Sequence, residues 1–315
     1  MSCGTASAKD EPEDLARPLL KSAADRALLL PSASSPFKLL VDFEVHGGGS
    51  AKFKGQYSWL VTPAGNSRKQ TKVSDFDDLE VLKGSTLWVK RNLDFMPLQA
   101  AWVEYAMSNF RLITSGFPVE RYFKASEHHI ELHCVEVKQG KNPRTLCLDA
   151  DGNLRKAELQ DLKLIYEYSD YRPVGSKFAP QRMVLKRDGG TVLDAEVVSL
   201  TVATPADENA IEIPGGAQRR EGCLDASLPS ITKSVPPNYP KDARDKRQQG
   251  EVIAYALITS NGTLAHTTIV QTAGTLLDDS VLAAASQWQY EPARCENTPV
   301  ESEALVPVRF TLEFH

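Results

Sequence analysis

The chain has 315 residues, 42% of them hydrophobic and 24% charged, with a formal net charge of -5. That is enough for about two domains with buried cores, and the acidic balance offers no basic face to nucleic acid. No apolar run approaches the ~20 residues of a membrane-spanning helix; Ala27-Leu28-Leu29-Leu30 falls far short, and residues 1–30 lack the basic start and apolar core of a signal peptide.

Residues 1–34 mix Ala, Ser, Asp, Glu and Pro without sustained periodicity, which predicts a flexible leader with one helical stretch near Asp14–Leu30. Cys3, behind the small Ser2, has two readings: a lipid-bearing cysteine of a trimmed precursor, or a lone thiol in the leader. From Pro36 to about Ala203 the pattern turns to β-type alternation. Strands are expected at Lys38–Val45, Ala51–Thr62, Ser67–Val73, Leu79–Val81 and Ser85–Val89, with a turn at Gly47-Gly48-Gly49. Pro97, Leu98, Ala101, Trp102, Tyr105 and Ala106 then recur at helical spacing. Strands resume at His128–Lys138, Arg144–Leu148, Asn153–Leu159, Leu162–Tyr168, Phe178–Lys186 and Thr191–Val202, punctuated by turn residues such as Asp151-Gly152 and Asp188-Gly189-Gly190.

A loop at Gln139-Gly140-Lys141-Asn142 would close a hairpin in which 138 faces 143 and 134 faces 147. Opposed Cβ atoms come within about 4.5–5.5 Å, close to disulfide reach for Cys134 and Cys147. So many strands of similar length, joined by short turns, predict one curved antiparallel sheet. The layout, with segments such as Gly55-Gln56-Tyr57-Ser58-Trp59 and Thr86-Leu87-Trp88-Val89 around one helix, resembles the LolA/LppX-like half-barrels of bacterial envelope proteins. That resemblance implies a concave face able to hold a lipid or acyl chain, lined by Phe43, Trp59, Leu87, Trp88 and Trp102; the alternative is that these side chains fill the core between sheet and helix. Residues 205–232, broken by Pro205, Pro214, Gly215-Gly216, Gly222 and Pro229, read as a linker after a 35–204 domain.

The remainder, 233–315, carries a patterned series: Pro237-Asn238-Tyr239-Pro240, Ala243-Arg244, Gly250, Asn261-Gly262, Leu277-Asp278, Trp288, Pro292-Ala293, Pro299-Val300 and Val306-Pro307-Val308-Arg309-Phe310. Pro240 suits the first turn of a helix over Lys241–Gln248. Glu251–Ser260 is a strand with apolar residues on both faces, so cover on both sides is expected. Asn261-Gly262 is a hairpin signal leading to a strand at Leu264–Gln271, then a helix over Leu277–Trp288, a short strand at Gln289–Ala293 and a last strand at Ser302–Phe314. The order and spacing resemble the C-terminal domain of the TonB family, so the predicted class is α+β: a curved antiparallel half-barrel with a helix, followed by a small TonB-like α+β domain. The resemblance implies β-augmentation, an extended peptide of an outer-membrane TonB-dependent transporter or other envelope protein adding to a free strand edge. By position, Val306, Val308, Phe310 and Leu312 or their alternating neighbours would receive it, flanked by Pro237, Tyr239 and Pro240. A staple between Cys223 and Cys295, with Cys134–Cys147, would leave Cys3 alone and suit an oxidising periplasm; two reduced thiol pairs would leave the same sequence. The expected location is periplasmic, membrane-anchored in the full-length precursor.

His128, His129, Glu131 and His133 suggest a metal cluster, but Ile130, Leu132 and Cys134 alternate with them and place the histidines toward solvent. No nucleophile motif or phosphate-cradling loop is present, so neither metal nor cofactor is assigned and an enzyme is the disfavoured class. Strand capture by an envelope protein and carriage of a lipid or lipoprotein are the two leading functions, with a purely structural envelope role as the third.

Overall fold

The computed structural model describes residues 12–46, 51–127 and 129–312; the expectations at Cys3, Gly47-Gly48-Gly49, His128 and Phe314 lie outside the described residues. Helix α1 (Pro12–Arg26) opens on a proline whose missing N–H is no loss, with Glu13 and Asp14 in the first turn and Arg26 in the last, complementing the helix dipole. Ala16, Leu20 and Ala23 lie on one face, buried in the large core together with Leu28 and Leu29. Residues 12–34 are therefore packed structure and not a flexible leader; the stripe is short and Pro18 interrupts it, which hid the periodicity.

Strands β1 (Phe37–His46), β2 (Lys52–Val61), β3 (Ser67–Val73), β4 (Phe76–Lys83) and β5 (Thr86–Arg91) form a meander. After helix α2 (Leu98–Ser108) a second follows: β6 (Val119–Glu127), β7 (Ile130–Gln139), β8 (Asn142–Leu148), β9 (Leu154–Leu159) and β10 (Leu164–Ser169). A small hairpin, β11 (Arg172–Val174) and β12 (Lys177–Ala179), precedes β13 (Arg182–Arg187) and β14 (Gly190–Val202). With β15 (Gln218–Glu221) the order is β15-β5-β4-β3-β2-β1-β14-β13-β10-β9-β8-β7-β6, thirteen strands whose two ends do not pair, an open antiparallel sheet and not a closed barrel. Ala100, Ala101, Trp102, Val103, Ala106 and Met107 of α2 are buried, as a helix apolar all round must be. Tyr166 and Tyr168 of β10 donate their hydroxyls to its Trp102 and Ala106 carbonyls at 3.3 and 2.9 Å.

Strand β6 was missed because Val-Glu-Arg-Tyr-Phe-Lys-Ala-Ser-Glu alternates only weakly; its pairing with β7 supplies the order. The expected strand at Phe178–Lys186 divides into β12 and β13 around Pro180, which has no N–H for a ladder. The hairpin register holds as read: Lys138 faces Pro143 and Cys134 faces Cys147, and those cysteines form a disulfide.

Residues 205–232 are more than a linker. They contribute β15, which pairs with β5, and most of β16 (Ser230–Lys233), which pairs with β19 (Gln289–Glu291). The rest comprises α3 (Lys241–Asp245), β17 (Gly250–Ile258), β18 (Leu264–Gln271), α4 (Thr275–Ala285), β20 (Ala293–Cys295), β21 (Thr298–Val300) and β22 (Ser302–Phe310), with sheet order β18-β17-β22. Val252, Ala254 and Ile258 of β17 pack with Leu277, Val281, Trp288 and Phe310. Ile253 and Tyr255, on its other face, join the core of the large sheet. Helices thus cover β17 on one side and the large domain covers it on the other. A second disulfide joins Cys223 to Cys295. Among the described residues, no helix is long and apolar enough to cross a membrane.

Candidate functional site

The outer side of β22 pairs with no other strand among the described residues. Which peptide groups face outward follows from the register. Leu305 lies opposite Tyr255 and Pro307 opposite Ile253. The Leu305 N–H donates away from β17, to the Tyr105 hydroxyl at 2.9 Å. In an antiparallel ladder residues alternate between bonding inward and facing out, so Glu303, Leu305, Pro307 and Arg309 present outward groups. Val306, Val308 and Phe310 bond to β17. Pro307 thereby puts its missing N–H where no ladder needs it.

The expected receiving residues divide accordingly. Val306 and Val308 pack against the second core, and Phe310 lies within it, 5% exposed and edge-on to Tyr239 at 5.3 Å. They hold the strand, while their neighbours Leu305, Pro307 and Arg309 offer the backbone. Leu312 lies beyond the end of β22, its N–H bonded to Gln249 Oε1 at 2.8 Å. Pro237 and Pro240 are half-buried in the entry segment. The Trp288 Nε1–H donates to the Val235 carbonyl at 2.9 Å, which pins that segment to the helical face.

The two halves of the edge differ. Glu303 accepts hydrogen bonds from Arg91 at 2.9 Å and Arg220 at 3.2 Å, and Arg91 in turn forks onto Asp78 through Nε and Nη2 at 3.1 and 2.9 Å. Burial, then the neighbouring Glu80, pushes the Asp78 carboxyl up to about 7 against the pull of Arg91. Burial opposes the charge on Arg91, but Glu303 and Asp78 outweigh it and raise its pKa. Tyr105 is pushed by burial to about 12, so its hydroxyl stays neutral. A cleft of about 120 Å³ runs beside Glu303–Pro307, walled by Tyr105, Asn109, Arg144, Ile231 and Tyr290. Arg309, beyond it, is exposed and pairs with Glu251 at 3.0 Å, which also meets Arg187.

A second cavity, about 270 Å³, lies between the large sheet, α2 and residues 220–228. Of the five side chains expected to line a lipid cavity, Trp59 and Leu87 line this one. Phe43 and Trp102 are core residues, and the Phe43 ring lies so close to Gly55 that an added Cβ there would be 2.3 Å from it. Trp88, one residue past Leu87 in β5, points to the opposite face of the sheet. Burial opposes the charge on Lys69 in this wall, but Glu104 and Glu80, both at 2.9 Å, raise its pKa well above the usual range. Sequence reasoning missed this charged wall; the alternation of Lys69, Thr71, Asp78 and Glu80 along β3 and β4 was its only signal.

Of His129, Glu131 and His133, Glu131 pairs with Lys124 at 3.0 Å and lies 3.3 Å from His133 Nε2, while His133 Nδ1 lies 2.6 Å from the Tyr122 hydroxyl. Among the described residues no group of three or more His, Cys, Asp or Glu could hold a metal ion.

Residues 235–312 match the family model described as Gram-negative bacterial TonB protein C-terminal. Protein TonB of Vibrio cholerae is 31% identical over 84 residues, which cover 26% of this chain and 34% of that protein; the chain spans about a third of the length of the curated relative it matches. The solution structure of the Pseudomonas aeruginosa TonB C-terminal domain is 23% identical, covering 28% of this chain and 89% of that one with a TM-score of 0.24. A LolA superfamily protein of Nitrosomonas europaea is 13% identical, covering 62% of this chain and 97% of that one with a TM-score of 0.45. Residues 235–312 thus match a TonB C-terminal domain and are joined to a large open antiparallel sheet.

Proposed function

We propose that this chain is a TonB-like protein of the bacterial envelope, working in the periplasm, that captures an extended peptide of an outer-membrane transporter or another envelope partner along the outer edge of β22. The observation that carries the reading is the unpaired edge, with Pro307 placed where its missing N–H harms no internal ladder. Strand addition draws affinity from backbone hydrogen bonds and selects by alternate side chains. Residues 233–315 form the docking unit and the large sheet its partner domain; energy transduction for transport across the outer membrane belongs to this reading, and catalysis does not. A photo-cross-linking residue at Thr311, in cells that make the protein, tests it. Adducts with an outer-membrane protein that vanish in the Arg309→Pro background are expected; adducts unaffected by that proline would refute strand addition.

The 270 Å³ cavity, with Trp59, Leu87, Met96, Met107 and Leu224 in its wall, supports a second reading in which the large domain carries a lipid or acyl chain. Native mass spectrometry of the purified chain, alone and after incubation with dodecanoate, tests this. Bound lipid supports carriage, and none in either sample rejects it.

A further inference from the structure

The strand capture proposed above requires a length of free edge, and the fold restricts it. Among the described residues, the hydrogen bonds that large-domain side chains make to β22 fall on Glu303 and Leu305 and none falls on Pro307–Phe310. The preceding half of β22 is held by three large-domain contacts: Tyr105 on the Leu305 N–H, Arg91 on Glu303, and Arg220 of β15 on the same Glu303. A strand added there would lie about 4.8 Å from β22 along its whole length. The cleft of about 120 Å³ beside Glu303–Pro307 has room for a handful of waters and none for such a strand.

We infer that the large domain is an autoinhibitory clamp on the receiving edge. Closed, it limits a guest to the stretch from Pro307 onward; released, it exposes β22 from Ser302, roughly doubling the ladder. Tyr105 is its positioning residue. It sits on α2 and lines both the cleft at the edge and the 270 Å³ cavity on the other side. Leu305 lines both as well, so a shift of α2 that opens the cavity takes the hydroxyl off the edge. The clamp needs no covalent step and no cofactor, only two arrangements of α2 against β22.

The test uses the full chain and two uncharged, alternating Thr-Val peptides as probes, one of about eight residues to match the whole strand and one of about four to match its open half. Tyr105→Phe removes one clamp contact and Glu303→Gln weakens the other two, each at nearly constant volume. Amide hydrogen exchange provides a readout independent of any guest: the Leu305 amide should exchange at least about tenfold faster in Tyr105→Phe, while those of Val306 and Val308 stay protected by β17. The double variant should bind the long peptide about tenfold tighter than the unaltered protein and the short one equally well. Equal affinity of both proteins for the long peptide, or an unchanged Leu305 amide, would overturn the clamp while leaving strand capture intact. Faster exchange at Val308 as well would mean that the strand has come loose from β17, and would also overturn it. Failure of both peptides to bind any form, with Leu305 released, would instead refute capture at β22.

Discussion

Proline at two adjacent positions of β22 should have very different costs. The Val308 N–H points inward, opposite Val252, which is fully buried. Val308→Pro deletes that bond and leaves a buried carbonyl without a donor, a loss of about 1–3 kcal/mol, and the ring disturbs a strand bonded on that side. Arg309→Pro removes an N–H that faces out and repeats the arrangement already present at Pro307. It also removes the ion pair with Glu251, whose arginine side chain is 36% exposed, worth at most about 1 kcal/mol; Glu251 keeps Arg187. The expected gap is about 2 kcal/mol, or roughly 1 M in the urea midpoint. Equilibrium unfolding followed by tryptophan fluorescence would measure it, since Trp288 reports on the second core. Equal costs, or a greater cost at 309, would refute the assignment of inward and outward groups on which the site rests.

Burial raises the Asp78 carboxyl to about 7 from an ordinary 3.8, so folding takes up a proton between those values. Its contribution is full below the lower pH and is lost as pH rises through 7; the stability difference between the unaltered protein and Asp78→Asn should fall across that window by up to about 4 kcal/mol, and a flat difference in urea melts would exclude it. Loss of Cys223–Cys295, which spans 72 residues of sequence, should cost about 4 kcal/mol on the loop-entropy estimate, against about 3 for Cys134–Cys147, which spans 13; serine replacements compared by urea unfolding would check that order. Gly262 has φ of 80° and an added Cβ would lie 2.0 Å from the Tyr290 carbonyl oxygen. Gly262→Ala should therefore destabilise by more than about 2 kcal/mol, and a cost below 0.5 would contradict the close approach of β17–β18 turn and β19.

Where local chemistry decides the structure, the sequence was sufficient. The Cys134–Cys147 hairpin, the Asn261-Gly262 turn and both apolar faces of β17 were legible because each follows from turn type or alternation within a few residues. The two layers that cover β17 were not both legible, since the second is the large domain, distant in sequence. The same limit hid β15, whose Gln-Arg-Arg-Glu has no apolar rhythm and is ordered by pairing with β5. At the proposed site, family position points to β22, and Val306, Val308 and Phe310 are the apolar residues that catch the eye. Their apolarity marks the packed side; the outward peptide groups belong to Leu305, Pro307 and Arg309, and only Pro307, a residue that cannot donate, signalled that alternation in the sequence.

If a guest strand adds to the outer side of β22, the Arg309 amide is the group that changes first. Amide exchange in the full chain, with and without the saturating long Thr-Val peptide, should slow at Arg309 by at least about tenfold with Val308 unchanged. Peptide binding that leaves Arg309 unprotected, or that protects Leu264–Gln271 at the opposite edge of the sheet instead, would rule out strand addition at β22.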